Sequence, residues 1–255
     1  MSANDVLSAA GRTEQVWWEQ ICEWESLDYG VAFTCKRYPS LSEAQQLRDV
    51  WLADIAGRDA FDRADSYFSE RGLTCSIWTP ASGQEDAPVD ALLAEKGWRR
   101  ESIVALGLAN ADQCPVELEH EGVRILPARA MRRAYRAFLE TIHAGDEDAC
   151  NAAFDRLDDA SYEVLLAVRS GAAVGRIGYH EVGEFARLRD FSIASDSDET
   201  DIRRLLIAHF LLRARRLSPR VLVACCPASA TDDFAFLTEC GFAEGGRLLR
   251  FRRPA

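Results

Sequence analysis

Val221-Leu222-Val223-Ala224-Cys225-Cys226-Pro227-Ala228-Ser229, a helical stretch ending Leu237-Thr238-Glu239-Cys240-Gly241-Phe242, and then Leu248 to Arg252 repeat in outline an earlier part of the same chain. The earlier copy runs Cys75-Ser76-Ile77-Trp78-Thr79-Pro80-Ala81-Ser82, a helical stretch ending Leu92-Leu93-Ala94-Glu95-Lys96-Gly97-Trp98, and the apolar segment Ser102 to Leu108. Each copy reads as strand, Pro-Ala-Ser turn, helix, glycine stop, aromatic residue, strand. Glycine suits a helix C-terminus because it enters the left-handed conformation without a Cβ clash, and the aromatic residue after it can fold back on the last turn. Such an echo is the signature of an internal repeat.

Working outward from the second copy, a helix from about Thr200 to Leu217 carries Ile202, Leu205, Leu206, Phe210 and Leu217 on one side and stops before Pro219. Before it come three apolar segments joined by tight turns: Tyr162 to Val168, the turn Ser170-Gly171, Ala173 to Tyr179, the turn Gly183-Glu184, and Ala186 to Ala194. These predict an antiparallel meander. Further back lie a strand Val123 to Leu126, a helix Ala128 to His143 with Met131, Tyr135, Phe138, Leu139 and Ile142 on one face, and a short helix Asp148 to Leu157. Ahead of the first copy the pattern predicts a helix Gln15 to Trp24, a strand Gly30 to Cys35, a helix Ser42 to Ile55 and a helix Phe61 to Glu70. The polar stretch with Asn110, Asp112 and Pro115 reads as a linker, which divides the chain into residues 1–109, a linker 110–121, and residues 122–255.

The order strand, two helices, three-strand meander, long helix, strand, helix, strand resembles the GNAT acyltransferase superfamily. Val174-Gly175 in the third strand, Leu205-Leu206 in the long helix and Glu239-Cys240-Gly241-Phe242 at the last helix carry the likeness over about Gly122 to Arg253. A partial copy covers about Tyr29 to Leu108. The resemblance implies an α/β fold of two GNAT-like domains in tandem, each a mixed, mostly antiparallel sheet flanked by helices. It also implies acetyl-CoA as cofactor and an N-acetyltransferase activity on an amine acceptor, a small molecule or a peptide.

In that family the pyrophosphate is held by a loop patterned Arg or Gln, two residues, Gly, one residue, Gly or Ala. Backbone N–H groups there close on the phosphates at the positive end of the long helix. Counted back from Leu205-Leu206, those positions are Ser197, Thr200 and Ile202, and all three depart from the pattern. The segment Ser195-Asp196-Ser197-Asp198-Glu199-Thr200-Asp201 sets four carboxylates where phosphates would sit, and like charges repel. Two readings stay open: a self-capped helix start, or a cofactor site built from backbone groups, with Ser197, Thr200, Asp201 and Ile202 as the candidates, or from a different loop. The family's proton-donating tyrosine, four residues before the last helix's glycine, is replaced by Leu237, and by Leu93 in the first copy. The resemblance places the pantetheine arm against the backbone near Phe191, Ser192 and Ile193, between two strands that splay apart, and Cys225-Cys226 lies on the second of them. The acceptor would lie against the front helices, near Tyr135 and His143.

Acyl transfer to an amine benefits from a base, and Asp190, Glu184 and His180 are the candidates on the central strands. Alternation could turn Asp190 to either face, and a surface carboxylate paired with Arg187 or Arg189 is the plainer reading. Tyr135, Tyr162 and Tyr179 could each donate a proton, although Tyr135 sits on an apolar helix face. The alternative to an enzyme is a catalytically inactive GNAT-like binding or scaffolding protein that has lost the pyrophosphate loop.

Composition narrows the field. Hydrophobic residues make up 48% of the 255 positions, as in ordinary globular chains, and the net charge of -11 disfavours nucleic acid while suiting a cationic amine. No apolar run is long enough for a membrane helix, and Met1 to Gln15 lacks the pattern of a signal peptide, so a cytoplasmic location is expected. Eight cysteines and four histidines show no metal-binding spacing, and no metal is expected.

Overall fold

The computed structural model describes residues 2–52, 56–81, 87–109, 119–194 and 199–254. Along the chain run α1 (Ala3–Glu19), β1 (Glu23–Leu27), β2 (Gly30–Thr34), β3 (Gln46–Val50), α2 (Gly57–Ser69), β4 (Ile77–Pro80), α3 (Ala87–Glu95) and β5 (Arg99–Leu108). Then follow β6 (Val123–Pro127), α4 (Arg132–Ile142), α5 (Glu147–Asp155), β7 (Tyr162–Arg169), β8 (Ala172–Val182), β9 (Phe185–Ile193), α6 (Glu199–Leu217), β10 (Val221–Pro227), α7 (Thr231–Glu239) and β11 (Phe242–Arg252). Both copies of the quoted motif form as read, β4-α3-β5 and β10-α7-β11. Gly97 and Gly241 take positive φ, 80° and 90°, at the helix ends.

Grouped by contacts, the chain forms two compact units that are discontinuous in sequence: residues 1–14 with 104–246, and residues 15–103 with 247–255. The expected contiguous halves, 1–109 and 122–255, differ from these units at α1, β5 and β11, each of which contributes to both. Most of the expected linker, residues 110–118, lies outside the described residues.

In the larger unit the strands are ordered β11-β5-β10-β9-β8-β7-β6. The meander β7-β8-β9 is antiparallel, while β10 runs parallel to β9. On one face, α6 buries Ile202, Leu205, Leu206 and Phe210 against Ile177 and Tyr179 of β8 and Ala186 and Leu188 of β9. Close packing there depends on Gly175, where a Cβ would stand 2.7 Å from Ile193 Cδ1 and 3.2 Å from Ile202 Cγ2. The helix stops at Ser218, which takes φ 49° ahead of Pro219. The opposite face is covered by α4, whose Tyr135, Phe138 and Leu139 are buried at helical spacing, and by the start of α1.

The smaller unit orders its strands β1-β2-β3-β4-β11-β5. Its core gathers Leu47, Phe61, Phe68, Trp78, Leu93, Trp98 and Phe251. Over its described part, residues 42–52, the helix expected over Ser42 to Ile55 is instead a short 3₁₀ turn, Ser42–Ala44, and strand β3, while residues 53–55 lie outside the described residues. Pairing on both sides, with β2 and β4, overrides the helix preference of Gln46, Leu47 and Arg48. The N-terminal helix covers Ala3–Glu19 rather than Gln15 to Trp24, and Trp24 lies in β1.

Candidate active site

The parallel ladder of β9 and β10 is short. It pairs Val221 with Phe185, Leu222 with Ala186 and Val223 with Arg187, and no described pair joins the two strands beyond that point. Just past it β9 is bulged: two steps along β8, from Arg176 to Gly178, are matched by three along β9, from Arg189 to Ser192. Asp190, in the extra step, takes the left-handed φ of 51°. A bulge re-aims a side chain, and this one turns Asp190 to the same side as Arg189. That side faces α4, with Ala186 and Leu188 pointing the other way into the α6 core.

A polar cluster converges on Asp190. The Tyr162 hydroxyl, from β7, donates a short hydrogen bond to its Oδ2. Arg176 Nη2, from β8, lies 3.7 Å from Oδ1. The same guanidinium donates to the Tyr135 hydroxyl at 3.0 Å, reaches Ser192 Oγ at 3.4 Å and approaches His143 Nε2 at 3.5 Å. Alongside, Glu14 of α1 pairs with Arg187 at 2.6 Å and Arg189 at 2.9 Å, while Arg187 and Arg189 also donate to the Ala10 and Thr13 carbonyls. The Tyr162 ring lies over Gly178, where a Cβ would come within 2.6 Å of Cε2 and Oη, so glycine is what allows the phenol to reach Asp190.

Electrostatics fix the protonation states. Burial alone would raise the Asp190 carboxyl, but the charge of Arg176, then the Tyr162 hydrogen bond and the charges of Arg189 and Arg156, bring it below the ordinary carboxylate value. Burial, then the Asp190 charge, lifts the Tyr162 phenol well above its usual range, so it keeps its proton. His180 is fully buried, its ring edge-on to Tyr162; burial, followed by Arg189, Arg187 and Arg156, pushes it down to about 3. Near neutrality the site therefore holds an ionised Asp190, a neutral His180 and a protonated Tyr162.

The other expected positions divide clearly. Glu184 is corrected: it sits in the turn at the opposite end of β9, exposed and paired with Arg220 at 2.7 Å, too far along the strand to act beside Asp190. The surface reading of Asp190 is corrected as well, because its side chain is only 26% exposed and engages Tyr162 and Arg176. Phe191, Ser192 and Ile193 are half-buried at the end of β9, beyond the point where β10 leaves it. The Phe191 ring packs on Phe236 of α7 at 5.8 Å, and Arg203 of α6 lies over both rings. Thr200 and Asp201 are exposed in the first turn of α6. Ile202 is completely buried beneath Gly175, its side chain part of the core. Ser197 lies outside the described residues. Leu237 and Leu93, which stand where the family's tyrosine would be, are both buried.

Arg176, the centre of this cluster, was not among the expected residues. A signal for the neighbourhood was present in the sequence: Leu188-Arg189-Asp190-Phe191 echoes Leu47-Arg48-Asp49-Val50. Asp49 also has φ 51°, at a register shift between β3 and β4. In the smaller unit, however, the strands stay joined past the shift, through the pair Val50–Pro80 and a bond from Ala81 N–H to the Val50 carbonyl at 3.0 Å. Trp78 fills the space behind them. Among the described residues no group of three or more His, Cys, Asp or Glu side chains is arranged to hold a metal ion.

No protein-family model and no curated protein matches the sequence. Solved structures do match in shape. A GCN5-related N-acetyltransferase from Kribbella flavida superposes with a TM-score of 0.63 at 12% identity, covering 100% of this chain and 96% of its own. A tandem GNAT protein from the clavulanic acid biosynthesis pathway gives 0.61 at 13% identity, covering 100% of this chain and 98% of that one. A GCN5-related N-acetyltransferase from Sphaerobacter thermophilus gives 0.61 at 16% identity over 90% of this chain and 82% of its own.

Proposed function

We propose that this chain, which has the tandem GNAT fold, is an N-acetyltransferase that moves an acetyl group from acetyl-CoA to an amine, with the chemistry confined to the larger unit. The observation that carries this reading is the parting of β9 from β10 after Val223 and Arg187, immediately before the Asp190 bulge. Parted parallel strands leave backbone N–H and C=O groups along Leu188–Ile193 and Ala224–Pro227 able to hold an amide-bearing arm such as pantetheine. The residues present fit that group, and Phe191, Ser192 and Ile193 would flank it. Acetyl-CoA bound there would supply a thioester carbonyl to the acceptor nitrogen, a C–N bond replacing the C–S bond and the proton lost by nitrogen balancing the thiol released.

The chain's own residues set the acceptor side. Asp190 presents a fixed negative charge to the amine, held by Tyr162 and Arg176. Neither Asp190 nor His180 takes a proton near neutrality, so the acceptor ammonium gives up its proton to solvent before attack. The smaller unit, its strands joined past Asp49, acts as a structural companion. A binding module without catalysis is the second reading, favoured by the buried Leu237 in place of a proton-donating tyrosine. Among the described residues no helix is long and apolar enough to cross a membrane.

Thermal unfolding with CoA or acetyl-CoA, and with ATP as a phosphate control, tests the reading. Ligand at a hundred times its dissociation constant stabilises the native state by about 2.7 kcal/mol. A rise specific to CoA and acetyl-CoA is expected; no shift at millimolar ligand sinks the enzyme and leaves the binding module.

A further inference from the structure

We propose that Arg176, Tyr135 and Asp190 together recognise an α-amino acid, taking its carboxylate on the Arg176 guanidinium and the Tyr135 hydroxyl and its ammonium on Asp190 Oδ1. This rests on the acetyltransferase reading and names the acceptor that reading leaves open.

Arg176 is almost wholly buried, with a side chain 4% exposed, and a guanidinium brings five N–H donors. Among the described residues only the bond to Tyr135, at 3.0 Å, is well formed, while Ser192, His143 and Asp190 stand at 3.4, 3.5 and 3.7 Å. A buried cation this loosely engaged calls for another acceptor. Tyr135 points the same way: its oxygen accepts from Arg176, and its own O–H has no acceptor among the described residues although the residue is fully buried. A guanidinium and a phenol in contact, each with donors to spare, match a carboxylate, which accepts planar paired bonds.

Asp190 supplies the other half. Its Oδ2 is taken by Tyr162, and Oδ1 has no hydrogen bond among the described residues, only the ion-pair approach of Arg176 at 3.7 Å. An ammonium fits there. A cation and an anion side by side as a loose ion pair are complementary to a molecule bearing ammonium and carboxylate on one carbon, whereas a simple cationic amine would leave Arg176 and Tyr135 without a further acceptor. Entry is from the side of Asp190, His143 and Ser192, which are half-buried.

The test is calorimetric titration of the full chain with L-alanine, L-glutamate, L-lysine and L-phenylalanine, each beside its α-amide and its N-acetyl form, with and without CoA. At least one amino acid is expected to bind, and its amide and N-acetyl form to bind about tenfold or more weakly. Tyr135→Phe keeps the buried ring and is expected to weaken the amino acid about fivefold while leaving the amide unchanged. Thermal melts confirm that this variant is folded. Amides binding as tightly as the acids, or no heat from any of the four at millimolar concentration without CoA, overturns the inference. Titration with CoA alone is a separate arm: its failure removes the acetyltransferase reading, and the amino-acid data still decide this one.

Discussion

Asp49 and Asp190 share one left-handed backbone angle, φ 51° in each, and both are the third residue of a Leu-Arg-Asp run at a shift in strand register. Aspartate tolerates this conformation better than most residues, yet glycine occupies it with no Cβ clash. Asp49 is exposed, and Asp190 holds Tyr162 and Arg176. Asp49→Gly is expected to leave stability unchanged or raise it by about 0.5–1 kcal/mol. Asp190→Gly relieves the same strain but strands a buried guanidinium, and is expected to cost about 2–3 kcal/mol. Urea unfolding of the two variants checks this, and equal effects would mean that Asp190 holds nothing.

Gly178 is the floor beneath Tyr162. In Gly178→Ala the new methyl would sit 2.6 Å from the ring, and Tyr162 is fully buried with little room to retreat. The variant is expected to lose about 1–3 kcal/mol and, under the proposed function, with the phenol displaced from Asp190, most of the acetyl transfer. Wild-type stability and turnover would show that the Tyr162 contact is dispensable.

His180 makes stability depend on pH. Its ordinary value of 6.5 falls to about 3 in the fold, so below pH 6.5 the unfolded chain binds a proton that the native chain does not. Stability therefore declines as pH drops from 6.5 towards 3, by on the order of a few kcal/mol at about 1.4 kcal/mol per pH unit. Asp190, also depressed, adds its loss lower down, as pH falls below about 3.8. His180→Phe is expected to flatten the upper part of this slope, as read from denaturant midpoints between pH 7 and 4.

Cys225 reports on the gap between the parted strands. It is half-buried on β10 beyond the last paired residue, Val223, whereas Cys22, Cys35, Cys75, Cys150, Cys226 and Cys240 are buried. Alkylation of the native protein, followed by peptide mapping, is expected to modify Cys225 ahead of those six. CoA should slow it by about tenfold if the pantetheine arm lies beside it. Labelling of Cys225 that CoA leaves unchanged would place the cofactor elsewhere.

Much of the architecture was legible from pattern alone. The meander, the long helix and the doubled strand-helix-strand motif announce themselves through turn residues and period. β3 did not, because its glutamine, leucine and arginine favour helix and only its two neighbours make it a strand. Asp190 could be named but not oriented, since alternation fails at a bulge and no residue type marks one. Arg176 was invisible for another reason: an arginine between Gly175 and Ile177 reads as ordinary strand, and only the fold reveals that it is buried against Tyr135 and Asp190.

β11 begins in one compact unit and finishes in the other, so the smaller unit is completed only by residues 247–255. During synthesis, residues 15–103 therefore emerge with their strand set unfinished and stay so until nearly one hundred and fifty further residues have followed. Most of the smaller unit is synthesised before most of the larger, yet its last strand segment is made after the larger unit's. An exposed edge at β4 over that interval is a demand on chaperones that a contiguous pair of domains would not make.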